Sequence, residues 1–341
     1  MIEMSLQQSE PVVLPQPSPG RQVRSVAAYS LLTALMIITP MMVFVPAALF
    51  HCAIRNGRRA AWMTGALAVA IAALFLAAVS RTPVAMMTWV SLTGFALAVV
   101  LPSLVVLPLI ERGEKFGRML VLLLIGSAIG MAVTELGARA ILAFSPFAAQ
   151  VAEAQRTNAE FIALFRGTGV PTEGMEQSGP YTLFLLPGGL LITISLVFIL
   201  SLLMFGRLNA WRERAAARGD NEALGAYLFR NFSLPDGLLF AFIFGGLTPL
   251  ASGMLQRMAA NTLAVVVFLY FLQGLAVFRF VLVAMSPGLL GSLLGWGLLL
   301  ILCASRGAGF VLLGVVGLFD PFFDFRHFKK RKDDSHESHS D

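Results

Sequence analysis

Glu135 and Arg139 stand four residues apart in an otherwise apolar stretch, acid first. On a helix that spacing puts both on one face, in the order that favours an ion pair. An ionisable side chain in a bilayer-crossing helix costs roughly 2.5–3.5 kcal/mol on insertion scales, so each needs a partner or a purpose. Arg257 and Asn261 open a later apolar run at the corresponding outer depth, and Arg306 turns near it. Such a cluster would seat an anionic or zwitterionic solute; the competing reading is a self-satisfied pair locking two helices. Tyr270 and Gln273, three apart, share a face of the same later run, with Gln273 near mid-membrane, where they would line a pocket or bridge helices. Arg279 lies toward the inner end and reaches the interface by snorkelling. Asp320, Asp324 and Arg326 mark an inner mouth. Asp320 ends a helix, where its charge opposes the dipole, so Arg326 is the expected ion-pair partner.

Signals for bond-making chemistry are poor. The chain contains no GxxxxGK[ST], HExxH or GxSxG and no paired Cys/His spacing. No catalytic, cofactor-binding or metal-ligating residue is therefore expected, and no cofactor. His336 and His339 read as part of a solvated tail, and His51 as interfacial. Cys52 and Cys303, both in apolar runs, read as small hydrophobes with no disulfide framework.

The elements that must hold these side chains are apolar runs at 26–54, 60–80, 84–110, 117–144, 181–206, 234–254, 258–285 and 286–319. A helix needs about 20 apolar residues to cross a bilayer, and the chain is 57% hydrophobic and 13% charged. Soluble domains carry about 25% charged residues. The expected fold is all-α, a polytopic transmembrane helical bundle of about eight to ten membrane segments. Pro40 and Pro46 break the first run into two shorter helices, since proline removes a donor and clashes with the preceding turn. The run 286–319 reads as two short helices turning near Ser305–Gly307 or as one tilted helix, and only the former returns the end of the chain to the inner side.

Residues 1–24 read as a disordered cytoplasmic tail, 25–326 as the transmembrane domain and 327–341 as a second tail. The net charge of +6 comes from Lys and Arg beside the spans, where they set orientation; nucleic acid is not an expected partner. Basic loops near 55–59, 111–118, 207–232 and 326–332 face inward, and those near 81–83, 145–180 and 255–258 face outward. In the outer loop, Ser145-Pro146 forms an N-cap and first helical residue. Phe147, Val151, Ala154, Phe161 and Phe165 then give one apolar face. This helix would be either a lid over a cavity or a cover for apolar helix ends. Gly126–Gly130 and Gly291–Gly295 are GxxxG packing signals.

Ser233-Leu-Pro-Asp-Gly237, Asn261, Leu269-Tyr-Phe-Leu-Gln-Gly274, Gly317-Leu-Phe-Asp320 and Phe323-Asp-Phe-Arg326 together resemble the YybS-like family of bacterial integral membrane proteins. That resemblance implies a multi-pass protein of the bacterial inner membrane and no established activity. More distantly, the amino half is similar to the substrate-binding subunits of energy-coupling-factor vitamin transporters, though Ala27, Ala28 and Ala34 lack their regular alanine repeat. This implies capture of a small solute and an energising partner protein. The competing expectation is a non-catalytic scaffold that recruits a partner through its basic inner loops. Membrane lipids are the remaining expected partner.

Overall fold

Proline sets the first boundaries of the fold. In the computed structural model, which describes residues 19–79, 85–167, 184–217, 227–285, 297 and 307–323, the first run breaks where Pro40 and Pro46 place it. Helix α1 (Pro19–Ile38) ends in a 3-10 turn (Pro40–Phe44) capped by Thr39, and α2 (Val45–Asn56) follows. The two arms double back. Asn56 donates to Ser25 Oγ (2.9 Å), Gln22 donates to the Asn56 carbonyl (3.3 Å), and the Tyr29 and His51 rings lie 5.7 Å apart. Gly57, at φ 87°, then turns the chain into α3 (Arg58–Val79), where Thr64 meets the buried Cys52 thiol at 3.3 Å. Positive φ is nearly free for glycine and costly for residues with a Cβ.

The third run, 84–110, is less regular than its composition suggests. It begins as α4 (Ala85–Phe95), widens into a π-helical stretch (Ala96–Val100), and continues as α5 (Leu101–Val105) and α6 (Leu107–Glu111). Pro102 has no N–H to give the Ala98 carbonyl one turn back. Ser127 of α7 (Phe116–Leu142) donates to that carbonyl instead, which is how a broken helix stays satisfied in lipid. A Cβ on Gly126 would press the Pro102 ring at 3.1 Å, and one on Gly130 would overlap the Leu97 carbonyl. The GxxxG spacing of α7 is thus the seat for this kink.

A corner at Ala143, in the left-handed region with φ 49°, leads to α8 (Pro146–Gly167), none of whose residues is buried. Next come α9 (Leu186–Gly206) and the short α10 (Asn209–Ala217). A 3-10 turn (Phe229–Asn231) precedes α11 (Leu238–Gly246), and another (Thr248–Leu250) precedes α12 (Gly253–Met285) and α13 (Ala308–Phe323). Around the start of α7 and the end of α9, Phe50, Phe116, Phe205, Trp211, Tyr227 and Phe232 are all fully buried, with edge-on or tilted ring contacts from 5.1 to 6.2 Å.

The architecture is all-α and polytopic. Among the described residues five helices are long and apolar enough to cross a membrane: 58–79, 89–111, 116–142, 186–206 and 253–282. Shorter apolar helices cover 22–38, 238–250 and 308–323. The expected tails, the turn at 81–83, most of 286–319 with its Gly291–Gly295 spacing and Arg306, the loop past 167, and Asp324 and Arg326 lie outside the described residues.

Candidate functional site: the buried polar contacts between helices

The outer polar residues do not gather into one cluster among the described residues. Each group caps a neighbouring helix. One Glu135 carboxylate oxygen accepts the Phe147 N–H (2.9 Å), in the first turn of α8, and the other accepts from Arg139 Nε and Ser145 Oγ. Ser145 Oγ in turn accepts the Ala148 N–H at 3.1 Å, so the expected N-cap forms and is braced from α7. Asn261 does the same for α9. Its Oδ1 accepts the Gly188 N–H (2.6 Å), while Nδ2 donates to the carbonyls of Phe184 (3.1 Å) and Arg257 (2.7 Å). The Arg257 guanidinium lies over the Phe184 ring, 5.8 Å from its centre. Both arrangements satisfy N–H groups that the first turn of a helix leaves without partners.

A different set of residues converges beside the first turn of α7. Gln273, 1% exposed, accepts the Leu234 N–H on Oε1 (3.2 Å) and donates from Nε2 to Asp320 Oδ2 (3.0 Å). Asp320 is itself 7% exposed. Glycines bring the helices close enough for this. A Cβ on Gly274 would overlap the Leu313 carbonyl, and one on Gly317 would overlap the Tyr270 carbonyl. The extended segment before α11 is wedged in by the same device, because a Cβ on Gly117 would overlap the Ser233 carbonyl. Tyr270 is buried against Phe242, its ring edge-on at 5.9 Å.

Gln273 lies level with the first turn of α7, because it bonds Leu234 in the segment that packs on Gly117. Asp320 accepts from Gln273, and the expected pairing with Arg326 falls outside the described residues. Arg279 is exposed on α12.

Sequence reasoning missed Leu234, Gly117, Gly274 and Gly317 as the parts that assemble this site. Two of its hydrogen bonds join residues 39 and 47 positions apart, and helical periodicity carries no information at that range. The one available signal was the co-occurrence of Gln273-Gly274 with Gly317 and Asp320, in which a small residue lies beside each polar one.

No curated protein and no solved structure matches the chain. A family model described as "Predicted membrane protein (DUF2232)" matches residues 25–321, nearly the whole helical domain, so the chain belongs to the DUF2232 family of predicted membrane proteins.

Proposed function

We propose that this is a non-catalytic, multi-pass protein of the bacterial inner membrane that binds or carries a small solute, in the manner of a transporter substrate-binding subunit. One observation carries the reading: a carboxylate, Asp320, is buried in the contact between two apolar helices and hydrogen-bonded to a buried amide, Gln273. Ionisable groups within membrane helices are costly, pair with neighbours and mark substrate or ion pathways. Tyr270, Gln273 and Asp320 would face the solute, with Glu135, Arg139, Arg257 and Asn261 fixing the outer helix ends around its route. The chain carries no nucleotide-binding motif, so an ion gradient or an energising partner protein supplies the driving force. The distant likeness to vitamin-transporter subunits supports the solute-binding part of this reading, and the YybS-like resemblance supports only the bacterial inner membrane. Protein purified into nanodiscs should gain thermal stability from a member of a vitamin and metabolite panel, as any ligand of the folded state does. Asp320→Asn should abolish that gain. No shift from any compound would defeat the reading.

A second reading, a membrane scaffold that captures a partner through its basic inner loops, is favoured by a specific observation: Glu135 and Asn261 are already used in capping. It requires that removal of 326–341 abolish capture of a partner, and that Glu135→Ala with Arg139→Ala leave capture intact.

A further inference from the structure

Residues 19–79 contain Arg21, Arg24, Arg55, Arg58 and Arg59 and not one Asp or Glu. The fold gathers these arginines at one end. The Gln22–Asn56 and Ser25–Asn56 hydrogen bonds bring the start of α1 beside the turn between α2 and α3. Arg24, Arg55, Arg58 and Arg59 are all exposed there. Among the described residues one ion pair reaches them from another element: Glu111 of α6, 3.3 Å from Arg58. The next inner turn differs, since Arg112, Lys115 and Arg118 are interleaved with Glu111 and Glu114, and Arg118 pairs with Glu114 at 3.3 Å.

What lies beneath the arginines decides the occupant. Helix α3 is the least covered of the five long apolar helices among the described residues. One turn below Arg58 and Arg59 it exposes Trp62 and Met63, and further along Leu67, Leu74 and Phe75. Tryptophan at the end of a span sits at headgroup level. A cationic rim above an interfacial tryptophan and an open apolar face matches a phospholipid: anionic headgroup above, acyl chain alongside. A soluble anion would use the rim alone.

We propose that the inner end of α1–α3 is a seat for an anionic phospholipid headgroup, held by Arg24, Arg55 and Arg59 with Trp62 at its edge. This is independent of the solute-binding reading. Each basic side chain near an anionic surface contributes about fivefold in affinity, so the three together contribute roughly a hundredfold.

The test is native mass spectrometry of the full chain. The protein would be released from vesicles of phosphatidylcholine and phosphatidylglycerol in equal parts, with phosphatidylcholine vesicles as reference. Wild type and an Arg112→Gln, Lys115→Gln, Arg118→Gln variant should both retain phosphatidylglycerol. An Arg24→Gln, Arg55→Gln, Arg59→Gln variant should lose it, and the matching triple lysine variant should recover it, which separates lost charge from misfolding. Equal retention by both glutamine variants would overturn the proposal. So would displacement of the lipid by inorganic phosphate at low concentration, which would reveal a site for the free anion.

Discussion

Tyr227 illustrates what one buried hydroxyl can cost. It is 2% exposed, and among the described residues its oxygen has no hydrogen-bond partner. An unsatisfied buried polar group costs about 1–3 kcal/mol, so Tyr227→Phe should leave thermal stability unchanged or raise it. Burial, with the Glu114 carboxylate adding, pushes the phenol above its ordinary value of 10.0. A raised folded value means stability that is present below about pH 10 and lost as pH climbs past it, because the unfolded chain ionises first. The wild type should therefore lose stability above that pH more steeply than the phenylalanine variant, as melting curves across alkaline buffers would show. Gln273 is the opposite case. Replacing it by Ala leaves both the Leu234 N–H and a buried carboxylate short of a partner, and should cost about 2–4 kcal/mol. These residues were unequally legible. Gln273 and Asp320 stood out as polar groups in apolar runs, but nothing local to either showed that they meet.

Glycine placement decides the helix contacts, and paired substitutions test it. Gly317→Ala forces a methyl into the Tyr270 carbonyl, whereas Gly314, one turn earlier on α13, has nothing within 4 Å of its would-be Cβ. The first should destabilise severely. The second should be neutral or gain up to about 1 kcal/mol of helix propensity. Gly130→Ala and Gly137→Ala on α7 should divide the same way, for Gly130 backs onto Leu97 and Gly137 faces open space. At the corner between α7 and α8, Ala143 holds a left-handed conformation that glycine adopts freely. Ala143→Gly should stabilise by about 1 kcal/mol. The helices themselves were readable from run length, and Pro40 and Ser145-Pro146 announced their boundaries. The π-helical stretch was not readable: Pro102 signals a break, but its repair by Ser127 depends on a neighbouring helix.

For the whole molecule, the basic loops imply which side each turn faces. With Cys52 and Cys303 replaced by Ala, a thiol introduced by Thr157→Cys on α8 should react with an impermeant maleimide added outside intact cells. One introduced by Arg212→Cys on α10 should react only after the membrane is opened. The reverse pattern would invert the fold in the bilayer. Sidedness is argued from Lys and Arg placement, which the sequence displays; the closeness of α12 to α13 depends on packing, which it does not. The doubled-back start carries a consequence for how the chain enters the membrane. Helix α2 has 12 residues, about 18 Å of rise against about 30 Å of hydrocarbon, and is too short to be threaded through alone. It must partition into lipid packed against α1, so the doubled-back pair is complete only once the ribosome has delivered the chain through Asn56.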